Sequence, residues 1–520
     1  MSDWNPALPL PWQLADAFAA LYDWFEANHF EDADDQLWDE RARRDPETKA
    51  LIASVAASSE GTPARVVAAL ERAQAGRGEV AYAIYRNLYA IDRGIERQHP
   101  LHASGRRGTP GVTLLEHYDR FARYNTDEID GYVLPKWTTR YRGTAFAEHF
   151  KHLVRARVDR NRIRVIGRNP RAFTRRGVRN PRVAVVPFLY SLFDDPPNAS
   201  VEAVFSGIDV GAQPCFQVLH QVGELPNLER RIRRAVEAIR AASVTIAVFP
   251  ELVLDERLLR VLRDHLKETD GADTALDWVV AGVAMPSTPP SRWPIANLAY
   301  VLDSGGNPVA FPLADATHWT WVQAKRHRYK LTRKEQDRYG VSGGFAEERD
   351  RLEAISVGRH HVVFDDRSGR YAVLICEDLA QEERTLDQLR RLLCRLIVVI
   401  VMDGPVEEGR WAGLKAGAVV TQTGGFAVVA NSLLLPNSPP IRRYRAEKKE
   451  IPDPWPDGEQ PVGLLIDPRD DDEPRFVRLY ARTTPDAMDG MSLLSSREDV
   501  PFVPPYPPLP FPTWPPAPRR

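Results

Sequence analysis

Cysteine is scarce in this 520-residue sequence, and long apolar runs are absent. The three cysteines, Cys215, Cys376 and Cys394, include no CxxC pair. This excludes a disulfide framework or a zinc site as the expected basis of the fold and fits a reducing compartment. No stretch approaches the roughly 20 apolar residues of a transmembrane helix, and the start of the chain, with Asp3 and early prolines, has no signal-peptide pattern. We therefore predict a cytoplasmic protein that does not bind membranes.

An excess of one charge is also missing. The sequence has 69 Lys and Arg against 71 Asp and Glu, a net charge of -2, which gives no global attraction to nucleic acid. The local exception is 151–182, where twelve Lys or Arg accompany one acid, Asp159. Such a run is typical either of a nucleic-acid contact or of a solvated linker that docks onto acidic surface of its own chain, such as Glu31–Glu40. With Phe173 as its one Phe, Tyr or Trp, the run lacks the interleaved aromatics of a base-stacking platform, which favours the linker.

Proline, in contrast, is abundant at the C-terminal end, where the last twenty residues hold ten prolines. This tail is expected to be extended and polyproline-like.

The first part of the chain is predicted to be helical: Leu14, Phe18, Leu21 and Phe25 form one helical stripe. Helix starts are expected at Thr62 and Thr113. We predict four segments: an all-α domain over 1–160, a basic linker over 161–181, an α/β domain over 182–445, and a C-terminal extension with the Pro-rich tail over 446–520.

The α/β domain is predicted from apolar runs that alternate with helical patterns. A helix with a 3.6-residue period is expected after Asn227, and two more over Thr385–Arg395, which includes Cys394, and Trp411–Gln422. A last strand pair is expected at Gly463–Asp467 and Arg475–Tyr480. The other predicted strands are Val183–Phe188, Val244–Phe249, Trp278–Ala284, Leu298–Leu302, Tyr371–Ile375, Leu396–Met402 and Phe426–Ala430.

The stretch Tyr371–Leu379 runs from an apolar strand straight into Cys376, Glu377 and Asp378. Alone, it is compatible with a buried core cysteine, because free cysteine is among the most buried residue types. A strand of this kind also delivers its last residue to a sheet edge, where ligands of α/β folds commonly bind. A nucleophilic thiol at such an edge needs a base for its proton, a cation or donors for the developing oxyanion, and a dry pocket.

Two other strand ends carry residues of these types. Glu251 follows the predicted strand as Val-Phe-Pro-Glu, and Lys325 begins the segment Lys-Arg-His. Together with Leu-Ile-Cys-Glu-Asp around Cys376, this order of motifs resembles the nitrilase, or carbon-nitrogen hydrolase, superfamily over roughly 182–445. The resemblance implies a catalytic triad of Glu251, Lys325 and Cys376. The Cys-Glu-Asp form is more similar to the glutaminase domain of glutamine-dependent NAD synthetase than to simple nitrilases.

Some assignments stay open at this point. The residue after His327 is Arg328 instead of the usual Leu, so Lys330, which precedes a Leu, competes with Lys325 for the role of catalytic lysine. Glu335 and Glu347 are both candidates for the second glutamate that many family members use. Glu377 is expected to supply an oxyanion donor through its backbone N–H, and its side chain either contacts substrate or forms a salt bridge.

The resemblance implies a four-layer αββα sandwich that packs into a homodimer, without metal or organic cofactor. It also implies hydrolysis of a small amide-type, carbamoyl or glutamine-type substrate through a thioester. The alternative is a catalytically degenerate scaffold or regulatory module. Nitrilase-like domains with extra helical regions resemble those beside reverse transcriptases in bacterial antiphage systems, and nucleic-acid contact through the basic linker is compatible with that role.

Overall fold

The computed structural model of the protein is described for the following residues: 17–19, 21–23, 25, 37–57, 77–98, 132–135, 150, 153–156, 158, 162–167, 183–187, 205–218, 225–271, 275–287, 291–312, 318–347, 349–366, 369–432, 434–436, 459–468 and 474–482. The Pro-rich tail, the helix starts expected at Thr62 and Thr113, and most of the basic linker lie outside these residues. None of the helices in the described ranges is long and apolar enough to cross a membrane.

The chain divides into two compact units. The first takes its described residues from Met1–Ile163, Asp387–Leu393 and Gln422–Gly424. The second takes them from Arg164–Leu386, Cys394–Thr421 and Gly425–Arg520.

The first unit has a core of aromatic and aliphatic side chains. Phe18, Phe25, Tyr85 and Phe150 are each 1% exposed or less, and ring pairs such as Phe18 with Phe150, at 5.3 Å between centroids, pack edge to face. The described residues within 17–25 are helical, as the stripe predicts. Three further helices and one antiparallel strand pair follow: α1 (Leu37–Arg44), α2 (Pro46–Ala57), α3 (Arg77–Gln98), β1 (Tyr132–Pro135) and β2 (Leu153–Ala156).

The strand pair corrects the prediction that 1–160 is all-α. Its partners are about twenty residues apart in sequence, and neither strand is long enough to show an alternating pattern. Strand β2 also carries Arg155 of the basic run. Its guanidinium is buried and donates to both carboxylate oxygens of Asp23, at 2.8 and 3.1 Å, so this arginine is paired within its own chain.

The second unit is a mixed α/β fold with several sheets and helices, which confirms the predicted class. Its largest sheet has seven strands, in the spatial order β21 (Arg475–Arg482), β20 (Glu459–Asp467), β19 (Phe426–Asn431), β18 (Cys394–Val401), β17 (Gly369–Ile375), β16 (His361–Asp366) and β3 (Ile163–Gly167). The predicted last strand pair, β20 and β21, is confirmed and belongs to this sheet, which therefore continues past residue 445. Strand β3 lies where the basic linker was expected, so the linker prediction is wrong over 163–167.

A second sheet has six strands: β12 (Val322–Ala324), β9 (Ile295–Asp303), β8 (Trp278–Pro286), β7 (Ile246–Asp255) and β4 (Val183–Val185), with β15 (Ile355–Ser356) paired to β9. Strands β17, β18 and β19 are parallel in the first sheet, as β4, β7 and β8 are in the second. Strand β7 contacts β18 and β19, so the two sheets face each other. Both parallel groups consist of almost wholly buried apolar residues, as strands covered on two faces require.

A smaller sheet contains β13 (Lys330–Leu331), β14 (Arg351–Glu353), β6 (Gln213–Val218) and β5 (Phe205–Val210), and a separate pair contains β10 (Ala310–Pro312) and β11 (His318–Thr320). The helices from residue 225 onward are α4 (Leu225–Ala241), α5 (Glu256–Glu268), α6 (Arg333–Tyr339), α7 (Glu377–Ala380), α8 (Asp387–Arg391) and α9 (Trp411–Thr423), with a 3₁₀ turn at Ser342–Gly344 and a π-helical turn at Glu382–Leu386.

Local sequence explains the helix beside β7. Asp255 caps α5 by accepting a hydrogen bond from the Leu258 backbone N–H at 2.7 Å. Leu258, Leu262 and Leu266 lie on one face and are 3% exposed or less, and α5 packs this face against β7 and β8.

Two boundaries differ from the prediction. Helix α4 starts at Leu225 instead of after Asn227. Cys394 is the first residue of β18 and not part of a helix, because α8 ends at Arg391. Its burial, with none of its surface exposed, is as expected.

Candidate active site

Glu251 lies on an irregular part of β7. The parallel pairing of β7 with β8 shifts register between Phe249 and Leu254, so the residues between them leave the regular ladder. Gly282 of β8 lies opposite this bulge. A Cβ atom at Gly282 would fall 1.9 Å from the carbonyl oxygen of Pro250 and 2.9 Å from the Cα atom of Glu251. The absence of a side chain at position 282 therefore makes room for the bulge that carries Glu251.

Cys376 lies directly after β17, in a strained turn. Its backbone has φ 46° and ψ −104°, a combination that is costly for a residue with a side chain and is concentrated at functional sites. The Cys376 N–H donates to the Ile400 carbonyl at 2.9 Å, and the Cys376 carbonyl accepts from the Leu379 N–H at 2.9 Å. These bonds fix the turn to β18 and α7. The residue is 7% exposed.

Lys325 follows β12 and points its ammonium at two carboxylates. Its backbone N–H donates to the Asn297 carbonyl at 2.9 Å, and its carbonyl accepts from the Gly358 N–H at 2.8 Å. Nζ lies 2.8 Å from Glu251 Oε1 and 2.7 Å from Glu353 Oε2. The three ionised side chains are 5% exposed or less, so the structure brings predicted residues Glu251 and Lys325 into direct contact.

Glu353, at the end of β14, is a site residue that the sequence analysis missed. Its Oε2 accepts from the Tyr329 backbone N–H at 3.0 Å. Asn297 joins the two carboxylates, because its Nδ2 donates to Glu251 Oε1 at 2.8 Å and to Glu353 Oε1 at 3.2 Å. We call Glu251, Asn297, Lys325 and Glu353 the lysine cluster.

Burial sets the electrostatics of the lysine cluster and the thiol. It raises the pKa of Glu251, an effect that Lys325 opposes and Glu353 reinforces. Burial lowers the pKa of Lys325, but the two carboxylates outweigh it and hold that pKa well above its ordinary value. Burial also raises the pKa of Cys376; Glu251 adds to this and Lys325 opposes it. At neutral pH the cluster therefore holds an ammonium ion beside a neutral thiol and a carboxylate that is more basic than usual.

The other candidates from the sequence lie elsewhere or have local roles. Lys330 is 64% exposed and forms an ion pair with Asp350 at 2.8 Å. Glu347 is 67% exposed. Glu335 completes a capping box at the start of α6, where its Oε2 accepts from the Thr332 N–H at 2.9 Å. Of these three residues, Glu335 alone lines the cavity that contains the thiol.

The cavity has a volume of about 320 Å³ and joins the lysine cluster to the thiol. One part of its wall is apolar, and another carries polar and charged side chains. The apolar part contains Phe205, Phe216, Val218, Leu252, Leu331, Met402 and Leu435, and the polar part contains Glu335, Arg338, Tyr339, Glu377, Asp403, Arg410, Trp411 and Lys415. A space of this size suits a small organic molecule with a few polar groups.

Asp403 is held rigidly in the polar wall. Its carboxylate accepts from Tyr339 Oη at 2.8 Å, from Trp411 Nε1 at 2.8 Å and from the Gly404 N–H at 2.6 Å. Asp403 follows Met402, whose backbone N–H donates to Glu251 Oε2 at 2.8 Å. The two residues that follow β18 therefore support both the cavity wall and the Glu251 carboxylate. Neither Met402 nor Asp403 was singled out as a site residue from the sequence.

Glu377 lines the cavity directly after the thiol. Its side chain accepts a hydrogen bond from Gln381 Nε2 at 2.8 Å. Burial raises the pKa of Glu377, and the bond from Gln381 opposes this shift. The described contact of the Glu377 side chain is thus a hydrogen bond from an amide and not the salt bridge of one alternative, and the residue lines the cavity beside Cys376.

A second group of titratable residues, which we call the histidine cluster, consists of the half-buried His327 and the buried His361 and Asp378. Their ligand-type atoms lie within 4.8 Å of one another, a grouping that can hold a metal ion. Asp378 Oδ1, however, already accepts from the backbone N–H groups of Arg326 and His327, each at 3.0 Å, and lies 2.8 Å from His327 Nδ1. His361 Nε2 lies 3.0 Å from Thr385 Oγ1. Hydrogen bonds within the protein therefore already satisfy the Asp378 carboxylate.

No protein-family model matches the chain, and no curated protein matches it. Among solved structures, the chain is similar to an amidase from Nesterenkonia sp., with 13% identity, 60% of this chain and 89% of that chain covered, and a TM-score of 0.32. A mutant of the amidase from Nesterenkonia sp. AN1 in complex with butyramide gives 12% identity, the same coverages and a TM-score of 0.32. Glutamine-dependent NAD+ synthetase from Acinetobacter baumannii gives 14% identity, coverages of 59% and 46%, and a TM-score of 0.31. These values assign neither a family nor an activity to the chain.

Proposed function

We propose that the protein is a cysteine-dependent hydrolase of non-peptide carbon-nitrogen bonds, with an amide, carbamoyl or glutamine-type substrate. The observation that carries the proposal is the position of the Lys325 ammonium between the Glu251 and Glu353 carboxylates, on the wall of the cavity that Cys376 also lines. A base and a buried cation on the wall of a cavity that the thiol also lines meet the three requirements of thiol catalysis on a carbonyl carbon.

In the first half-reaction, Glu251 accepts the Cys376 proton as Sγ bonds to the carbonyl carbon. The raised pKa of Glu251, which results from burial, makes it a stronger base than an ordinary carboxylate. The Lys325 ammonium and the Glu377 backbone N–H stabilise the oxyanion. The carbon-nitrogen bond then breaks, Glu251 returns the proton to the leaving nitrogen, and ammonia or an amine departs from a thioester.

In the second half-reaction, water attacks the thioester carbon and gives one proton to Glu251. The carbon-sulfur bond breaks, and Glu251 returns the proton to the thiolate, which leaves a carboxylic acid. Glu353 keeps Lys325 charged and in place through both halves. The steps use residues of this chain alone.

The same proposal extends to the architecture. Strand β7 faces β18 and β19 of the other sheet, and α5 packs on β7 and β8. These contacts support a four-layer αββα arrangement. We propose that the protein works as a homodimer or larger homo-oligomer. The following experiment distinguishes the proposed hydrolase from a catalytically degenerate scaffold.

The test is ammonia release from a panel of simple amides, carbamoyl compounds and glutamine, with intact-mass detection of the acyl-enzyme. Wild type is expected to turn over at least one compound. Cys376→Ala is expected to lose at least about 10⁴-fold in kcat and to form no adduct. Cys394→Ala, at the opposite end of β18 from the cavity, is the matched control and is expected to retain activity. Release at the wild-type rate by Cys376→Ala would remove the proposed mechanism.

The scaffold alternative predicts a different pattern. Wild type would release no ammonia from any compound, and a thiol-reactive amide such as iodoacetamide would modify Cys376 no faster than Cys215 or Cys394.

A further inference from the structure

The position of Lys325 depends on the backbone that follows it. Strand β12 ends one residue earlier, at Ala324, and β13 does not begin until Lys330. Between these strands the chain lies outside regular secondary structure, with Arg326 and His327 directly after the lysine. A lysine on such a segment keeps a fixed place only if neighbouring groups hold its backbone.

Asp378 supplies such a hold. It is wholly buried and lies two residues after Cys376, in the short helix α7. Its Oδ1 accepts from the N–H groups of Arg326 and His327, each at 3.0 Å, and its Oδ2 lies 3.3 Å from the Arg326 N–H. The His327 ring adds a third donor through Nδ1 at 2.8 Å.

These hydrogen bonds join the two halves of the site. One carboxylate, next to the nucleophile in sequence, binds the two residues that directly follow the lysine. Bonds from N–H donors to an ionised carboxylate are roughly twice as strong as bonds between neutral groups. In addition, a buried carboxylate that loses such donors carries a large penalty.

We propose that Asp378 is a positioning residue, assisted by His327, that fixes the Lys325 ammonium relative to the Cys376 thiol. This inference rests on the proposed function, in which that ammonium stabilises the thiolate and the oxyanion. Asp378 itself does not line the cavity, so it acts through the backbone of the lysine segment and does not touch substrate.

The first experiment is Asp378→Asn. The substitution keeps the shape of the side chain, but it removes the negative charge and places an NH₂ group where one acceptor stood. Asp350→Asn is the matched control, because Asp350 also accepts a backbone N–H, that of Arg333 at 3.0 Å, and pairs with Lys330 outside the cavity.

The readout is the rate of Cys376 alkylation by iodoacetamide, measured by peptide mass spectrometry from pH 6 to 10, with Cys215 and Cys394 as internal references. A displaced ammonium stabilises the thiolate less, so Asp378→Asn is expected to slow alkylation of Cys376 about 10-fold at neutral pH and to move its inflection to higher pH. We also expect kcat to fall by about 10- to 100-fold with little change in KM. Asp350→Asn is expected to follow wild type in both measurements.

A second pair of variants covers the case in which Asp378→Asn does not fold. His327→Ala removes the side-chain donor and leaves the two backbone donors, so it is expected to shift the alkylation profile in the same direction by a smaller amount. His327→Asn places an N–H close to the position of Nδ1 and is expected to restore part of the wild-type profile. A purely structural role would lower stability without moving the profile of the folded protein.

The outcomes separate this inference from the proposed function. Unchanged alkylation profiles in folded Asp378→Asn, or in His327→Ala when the first variant does not fold, overturn the positioning role even if wild type releases ammonia. A shifted profile supports the positioning role even if wild type hydrolyses none of the compounds, in which case the proposed function fails alone.

Discussion

Two groups of buried charges lie close to the ends of β12 and β17, and they are neutralised in different ways. In the lysine cluster, two carboxylates share one ammonium, and the group lines the cavity. In the histidine cluster, Asp378 is held mainly by backbone N–H groups, and His327, His361 and Asp378 are all absent from the cavity wall.

Under the proposed function, the lysine cluster takes part in the reaction and the histidine cluster holds the backbone in place. Burial of an ion pair carries a desolvation penalty that attraction often does not offset, so a buried pair is weak evidence for stability. A carboxylate that binds fixed backbone donors has few alternative partners and holds the chain in one arrangement. Three comparisons between matched residues test this interpretation.

The largest effect is expected from Lys325→Met. Loss of the ammonium removes an oxyanion donor, which is worth about 10²- to 10³-fold in kcat, and leaves Glu251 and Glu353 facing each other without a cation. We therefore expect kcat/KM for ammonia release to fall by about 10³-fold. Because both carboxylates then favour the protonated form, the melting temperature of the variant is expected to rise, relative to that of wild type, as the pH is lowered.

Lys330→Met is the control, since this lysine lies five residues further on and is 64% exposed. It is expected to keep activity within about two-fold of wild type, as exposed ion pairs contribute little. Equal losses in the two variants would contradict the assignment of Lys325.

A smaller effect is expected from Glu353→Gln. The amide retains the size of the side chain, but Lys325 then pairs with Glu251 alone, which ties the base more strongly to the cation. We expect kcat to fall by about 10²-fold, the usual order for an impaired proton-transfer group. Glu347→Gln, on a side chain that is 67% exposed, is the control in the same ammonia-release assay. If Glu347→Gln reduced kcat as much as Glu353→Gln, the loss in Glu353→Gln could not be attributed to its pairing with Lys325.

The smallest effect concerns the histidine cluster and its response to pH. Burial lowers the pKa of His361 to about 4, against the attraction of Asp378. The unfolded chain, with an ordinary histidine pKa of about 6.5, binds this proton first as the pH falls. The free energy of unfolding therefore decreases as the pH falls from 6.5 to 4. His361 contributes about 2 kcal/mol to this decrease between pH 7 and pH 4.5.

His361→Gln removes this titratable group and retains a polar side chain that can hydrogen-bond to Thr385. Urea unfolding at pH 7 and pH 4.5 is expected to show a smaller loss for this variant than for wild type. His360→Gln, on the adjacent half-buried residue, is the control and should retain the wild-type loss. An unchanged loss in His361→Gln would show that another group causes the acid sensitivity.

The strands that are buried on both faces could be predicted from the sequence alone. β7, β8, β17, β18 and β19 each contain a continuous apolar run, which is a strong local signal. The strands of the smaller sheet, β5, β6, β13 and β14, were not predicted, because they are two to six residues long and have mixed polar and apolar patterns. Their pairing depends on contacts between parts of the chain that are distant in sequence.

The same distinction applies to the site. Lys325 and Cys376 each follow a strand, and Glu251 follows the regular part of one, so position and residue type together drew attention to them. Burial of Lys325 with exposure of Lys330 favours the first of the two lysines. Glu353 reaches the cluster through the parallel pairing of β14 with β6. Asn297 lies within β9, where no local pattern distinguishes it from other strand residues.

Gly282 has a consequence for recognising related chains. Because a methyl group there would overlap the Pro250 carbonyl, a chain that retains Glu251 on the same bulge needs a residue without a side chain on the neighbouring strand. Because the overlap is with backbone atoms of Pro250 and Glu251, the glycine is expected to change only in a chain that loses the bulge itself. The residue at position 282 therefore reports on the bulge at position 251 without reference to the cysteine.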